Sequence, residues 1–452
     1  MGAAVPAGAA AAEGVTARAT TVGLVETITD HIVTFDDFDE LAVFEQFMRQ
    51  THLMGAHDLP ALVDRTARRL GFSDVAMYVV DLQHKVLVPF VPPGGPDPDE
   101  RPAVLAVDAT LAGRAYQHVD TFTHDDGAGN VQAYVTLLDG AERLGVLAVT
   151  LQPGTELDDA VGARLRHFAA LVAEAIMTKT AYGDTLVRLR RTAPMGLAAE
   201  IQWSLLPPLT FASPDVSVAA ALEPAYSVAG DSVDYAVDAD AARFAIFDGV
   251  GHELLSAQLV SLVVAAYRNA RRAGQTLVET ARQIDAAVTG LFPGEGFVTG
   301  LLTELDTATG LFSWVSAGHP PPLLLRHGRL VRTLELAPEL PFGLGLEGVV
   351  SGAGGDEQAP EVRVGTEQLE PGDYLLLYTD GVIEARSPGG ELFGVPRLTD
   401  LMIRNLAAGF PASETMRRAV LALLEHQSGD LADDATMLLF QWRPGHPEKL
   451  LP

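Results

Sequence analysis

Pro371-Gly-Asp-Tyr-Leu-Leu-Leu-Tyr-Thr-Asp-Gly-Val-Ile-Glu384 decides the reading of this chain. Its apolar centre predicts a β-strand over 373–379, and Asp380-Gly381 follows at the strand's end, where a carboxylate can be presented at a sheet edge. Two similar arrangements lie far away in sequence. Phe247-Asp-Gly-Val-Gly-His252 follows an apolar run at 242–247, and Asp433-Asp-Ala-Thr436 precedes one at 435–441. A fourth aspartate, Asp231, sits in Val228-Ala-Gly-Asp-Ser-Val-Asp-Tyr235. Four aspartates, three of them bordering strand-like runs, suit a hard cation, Mg²⁺ or Mn²⁺, rather than zinc. Each Asp-Gly pair taken alone is as readily a turn.

Around these motifs, further strands are expected at 215–222, 297–305 and 310–317. Helices are expected at 253–272, 276–291 and near 412–427. Strands outnumber helices and come in hairpin-like pairs, which disfavours a parallel βαβ arrangement. The Gly-rich, acidic stretch 345–365 reads as a surface loop. Upstream, helical spacing at Leu41, Phe44, Phe47 and Met48 is followed by strands at 75–81 and 85–90, a short helix opening at Thr110, strands near 131–138 and 143–151, and a long helix at about 157–178.

The chain has 452 residues, 48% of them hydrophobic and 20% charged, enough for two or three domains with ample core. The net charge of −28 argues against nucleic acid, whose phosphates demand clustered Lys and Arg. No apolar run reaches the roughly 18 residues of a membrane helix, and residues 1–20 lack a basic leader, so the expected location is the cytoplasm. Cysteine is absent, which excludes disulfides and thiolate chemistry. Lysine occurs only at 85, 179 and 449 while arginine is plentiful, a bias typical of GC-rich bacterial genes.

Taken in order, Gln202-Trp-Ser-Leu-Leu-Pro207, Ala229-Gly-Asp-Ser-Val-Asp-Tyr235, Asp248-Gly-Val-Gly-His252, Phe297-Val-Thr-Gly300, Ala317-Gly-His-Pro-Pro-Pro322, the 371–384 stretch, Leu392-Phe-Gly394 and Asp433-Asp-Ala-Thr436 resemble the bacterial PP2C-like (PPM) serine/threonine phosphatases of the SpoIIE and RsbU type. Thr110-Leu-Ala-Gly-Arg-Ala115 and Leu144-Gly-Val-Leu-Ala-Val149 resemble a GAF domain. The implied fold is α+β multidomain. A tail at 1–37, expected to be disordered, precedes a GAF-like sensor or dimerisation domain at 38–178 and a helical linker at 179–207. An α-β-β-α sandwich at 208–442 and a tail at 443–452 complete it.

The phosphatase resemblance implies two Mn²⁺ or Mg²⁺ ions. Asp248 would bridge them, the Gly249 carbonyl would bind one, Asp380 and Asp433 would bind the other, and Asp231 would be more peripheral. Asp434 is the alternative ligand under a one-residue shift, and Asp234 is expected to support the site or to turn the chain. Such ions share a hydroxide that attacks phosphorus in line. The implied substrate is a phosphoserine or phosphothreonine protein, an anti-sigma-factor antagonist in a partner-switching circuit. A small molecule at the GAF domain, or a homodimer through the 157–178 helix, is a further implication. The rival to the dimer is a helix that merely closes its own core.

Departures from the family pattern keep two other readings open, a catalytically impaired binding module and a two-metal phosphatase for small molecules. Ala229 replaces a Gly, Glu253 follows His252, and Val250 stands where eukaryotic-type enzymes carry a histidine as proposed general acid. His319 is expected to be structural.

Overall fold

The computed structural model describes residues 38–92, 94–95, 101–125, 130–251, 253–294, 296–337, 339–345, 362–429 and 431–445. The expected disordered tail at 1–37, His252, and most of the Gly-rich loop (346–361) lie outside the described residues.

The N-terminal part begins with α1 (Phe38–His52) and α2 (Leu59–Arg69), the latter with Pro60 in its first turn, where a missing N–H costs nothing. Six antiparallel strands follow, namely β1 (Phe72–Val80), β2 (Val86–Phe90), β3 (Leu105–Ala106), β4 (Phe122–Asp125), β5 (Val131–Asp139) and β6 (Glu142–Leu151), ordered β3-β2-β1-β6-β5-β4. Helix α3 (Leu111–His118) is capped by Thr110, whose hydroxyl accepts from the Gly113 amide. Helix α4 (Asp159–Thr180) is capped in the same way by Asp158.

Alternation along β1 sends Met77 and Val79 into a core with α1, α2 and α4, while Tyr78 and Val80 enter a separate core under α3. Helices therefore cover both faces of this sheet. The connector is broken, with α5 (Thr185–Leu189) and α6 (Leu197–Leu205) separated by a stretch containing Pro194. Leu206 is already extended, as a residue before proline prefers.

The C-terminal part contains two antiparallel sheets. One holds β9 (Asp231–Val237), β10 (Ala241–Gly249), β11 (Val298–Asp306), β12 (Leu311–Ala317) and β15 (Gly365–Gln368), ordered β15-β12-β11-β10-β9. The other holds β7 (Thr210–Ala212), β8 (Val216–Glu223), β13 (Leu323–Arg326), β14 (Arg329–Thr333), β16 (Tyr374–Tyr378) and β17 (Ala435–Trp442), ordered β14-β13-β16-β17-β8-β7.

The inner faces share one core, pinned by Phe244 of β10 stacked on Phe440 of β17 with centroids 3.9 Å apart. On the outside, α7 (Glu253–Arg272) and α8 (Leu277–Leu291) cover the first sheet, and α10 (Gly394–Ala407) and α11 (Ala412–His426) cover the second. The layers run helix, sheet, sheet, helix, in line with the expected sandwich. The short helix α9 (Asp380–Ile383) follows β16 directly. No described helix is long and apolar enough to cross a membrane.

The N-terminal part rests on the second sheet's β7–β8 edge and on α11 through buried charges. Glu414, fully buried at the start of α11, accepts from Arg143 of β6 at 2.9 Å, from Arg417 at 2.8 Å and from Arg418 at 2.9 Å. Arg417 also reaches Asp108 at 2.6 Å. Nearby, Thr210 of β7 bonds the Glu142 carboxylate.

Candidate metal centre

The four sequence-predicted aspartates come from both sheets and lie at one end of the sandwich. Asp231 opens β9 and pairs in register with Asp248 near the end of β10. Asp380 opens α9 just beyond β16, and Asp433 precedes β17. The antiparallel pairing of β17 with both β16 and β8 brings these loops to the same edge.

Asp231 is buried and accepts from the Thr379 hydroxyl at 2.8 Å, and the Thr436 amide in turn donates to that hydroxyl at 2.9 Å. Burial pushes its carboxyl well above the usual carboxylate range, with Asp248 and Asp434 adding to the shift. Asp248 is half-buried. Burial first, then Asp380, Asp433 and Asp434, push it up to about 7. The carboxyl of Asp380 is also raised, by burial and then by Asp433 and Glu384. This is a crowd of like charges in a partly dry setting.

Asp434 behaves differently from its neighbour. Its Oδ2 accepts from the backbone amides of Ala229 and Gly230, at 2.8 and 2.7 Å. It therefore ties the loop before β17 to the loop before β9, while Asp433 is exposed and accepts only the Asp434 amide through Oδ1. The Gly249 carbonyl accepts from the buried Ser256 hydroxyl of α7 at 2.8 Å, which uses one of its two lone-pair directions.

Asp234 does not turn the chain. It lies buried within β9 and receives Arg268 of α7 at 2.7 Å. His319 is buried, its Nδ1 lies 3.0 Å from the Thr299 hydroxyl, and burial pushes it down to about 3, so it is neutral near pH 7. That fits the expected structural role. Thr379, Ser256 and Arg268 carried no readable signal in the sequence, because each gains its meaning only from a partner on another element.

The donor set fits a hard divalent ion. It is all oxygen, and Asp231, Asp248 and Asp380 are raised by burial and mutual repulsion that a cation would offset. Among the described residues, no three such side chains converge closely enough to hold an ion as they stand. Asp380 and Asp433 are both exposed.

Residues 238–443 match the family model described as Stage II sporulation protein E (SpoIIE), a segment that includes Asp248, Asp380 and Asp433. The phosphoserine phosphatase RsbU of Bacillus subtilis is 24% identical over 245 residues, 54% of this chain and 69% of RsbU. The protein IcfG of Synechocystis sp. is 27% identical over 143 residues, 31% of this chain. A crystal structure of the RsbU and RsbW domains of Rv1364c from Mycobacterium tuberculosis is 29% identical over 52% of this chain, with a TM-score of 0.42. The match spans 61% of that Rv1364c chain and only 20% of IcfG. Residues 238–443 thus form a SpoIIE-type domain, similar in sequence to the phosphoserine phosphatase RsbU.

Proposed function

We propose that this chain is a metal-dependent phosphatase that removes phosphate from a serine or threonine of a small anti-sigma-factor antagonist. The observation that carries the reading is the convergence of Asp231, Asp248, Asp380 and Asp433 from two sheets onto one edge, with Asp248 crowded by Asp380 and Asp433. The site would take two Mn²⁺ or Mg²⁺ ions, and Asp248 and the Gly249 carbonyl would be among the groups that hold them. Asp380 and Asp433 would complete the set of ligands, with Asp231 more peripheral. When bound, such ions offset charge on the transferring phosphoryl group and activate a water. The protein's own part is to fix the carboxylates. Thr379 orients Asp231, Ser256 fixes the Gly249 peptide, and Asp434 locks the two loops together.

The N-terminal domain, residues 38–178, is read as a GAF-like regulatory unit and residues 179–207 as its link to the phosphatase. The partner-switching assignment rests on the likeness to RsbU.

The test is phosphate release from a phosphoserine protein with added Mn²⁺, for the wild type and Asp380→Ala. Activity in the first and its loss in the second is expected. No release, or release untouched by the substitution, overturns the reading. A nucleotide substrate run in parallel separates protein from small-molecule specificity.

Gly381 offers a second check. A Cβ there would stand 2.0 Å from the Asp434 carbonyl oxygen, a backbone atom that cannot step aside. Gly381→Ala should therefore displace the Asp433–Asp434 loop and lower Mn²⁺ affinity by about ten- to a hundredfold, read by calorimetric titration.

A further inference from the structure

Two contacts from the N-terminal domain land on elements that lead into the segments carrying the aspartates. The first is at the tip of the β1–β2 hairpin, where the Gln83 side chain donates to Glu223 Oε2 at 3.1 Å. Glu223 ends β8, is buried, and accepts the Ala225 amide through the same oxygen at 2.9 Å. From Ala225 the chain runs to Ala229 and Gly230, whose amides hold Asp434, and then to Asp231. The same hairpin presents the His84 carbonyl to Arg417 of α11 at 3.3 Å. The second contact is Arg143 on Glu414, in the first turn of α11, the helix whose opposite end leads towards the Asp433 loop.

The hairpin tip is itself fixed. Asp81, buried, accepts the amides of Lys85 and Val86 at 2.8 and 2.9 Å, and the His84 ring bonds the buried Tyr116 hydroxyl under α3. Arg143 donates to the Tyr116 carbonyl at 3.2 Å and covers its ring. One cluster around Tyr116 therefore touches both the end of β8 and the start of α11, and Arg190 of the connector joins it by accepting the Leu82 amide at 3.1 Å and donating to the Val80 carbonyl at 3.1 Å.

We infer that Gln83 and Arg143, outside the phosphatase domain, are positioning residues for the aspartate centre, setting the loops before Asp231 and Asp433 across the domain seam through Glu223 and helix α11. The inference rests on the metal-centre reading given above. It also makes the sheet–α3 side of the N-terminal domain, where Tyr116 sits, the place from which a change would be felt at the centre.

The test uses the full chain as Gln83→Glu, which sets a carboxylate against Glu223, Arg143→Met, and the conservative Arg143→Lys, with the exposed Arg68→Met on α2 as control. Hydrogen exchange on the metal-free protein is followed by peptide mass spectrometry, and Mn²⁺ binding by calorimetry. Exchange at residues 224–231 and 431–434 should quicken in Gln83→Glu and Arg143→Met, while α7 and α8 stay unchanged. Their Mn²⁺ Kd should rise about tenfold, with Arg143→Lys between them and the wild type. Faster exchange confined to residues 81–85 and 412–418, or spread evenly over the chain, overturns the inference. So does an unaltered Kd alongside unaltered exchange at the two loops. If the wild type fails to bind Mn²⁺, the metal reading falls, and the exchange pattern alone decides the positioning role.

Discussion

Asp248→Ala is expected to reduce phosphate release by at least about a hundredfold, the scale on which losing a preorganised electrostatic contact to a transition state is felt. Asp248 is the one member of the cluster whose carboxyl is raised by Asp380, Asp433 and Asp434 together, so it lies at the centre of the charge crowd. In the proposed two-ion site, removing it would take away the carboxylate shared by both ions, and neither exposed Asp380 nor exposed Asp433 could replace it from its own strand end. Fold and catalysis should part company here. Without metal, Asp248→Asn relieves repulsion in a half-buried site, so its melting temperature should equal or exceed that of the wild type. A variant that loses activity and also melts early would point to a structural role for Asp248 and against the two-ion arrangement.

Glu414→Ala should be the most damaging single change to stability outside the hydrophobic cores, costing about 3–5 kcal/mol, as when one partner of a buried ion pair is removed. It leaves Arg143 and Arg417 buried, at 1% and 4% side-chain exposure, without their shared carboxylate. Denaturant unfolding at neutral pH measures the loss.

The pH dependence has a definite sign. Burial alone would raise the Glu414 carboxyl, but Arg417 and Arg143 hold it below its ordinary value of 4.5. A carboxylate depressed in the folded state stabilises above the unfolded pKa and loses that contribution as pH falls through the folded one. The gap between wild type and Glu414→Ala should therefore be full at pH 7 and shrink below pH 4.5. A gap that is constant with pH would mean that charge is not what Glu414 contributes.

Much of this fold was legible because strands β10, β11, β12, β16 and β17 are apolar runs closed by turn residues, and helices α7, α8 and α11 keep a steady apolar stripe. Strand β9 was not, since Asp231-Ser-Val-Asp234 places two charges in four residues. Both are tolerated inside the strand because Thr379 and Arg268 meet them from other elements. Helix α10 was missed although its signal was present, with Pro396 in the first turn and Leu398 and Met402 spaced one turn apart. The aspartate motifs pointed to one edge, but the Arg143–Glu414 pair could not be foreseen, its members being 271 residues apart. Of the two readings of Asp234, support of the site or a turn, the turn is set aside because Asp234 lies within β9 and meets Arg268 of α7.

Two identical residues stand side by side at 433 and 434, yet one is spent on holding chain to chain and the other is left facing solvent at the cluster. What separates them is the register of β17, in which Met437 opposes Tyr378 and Ala435 opposes Glu223. Because neighbouring side chains along a strand point to opposite faces, a slip by one position would exchange their duties and turn the strand's core residues outward. Hydrophobic packing along β17 thus acts as the proofreader of the chemistry at its tip.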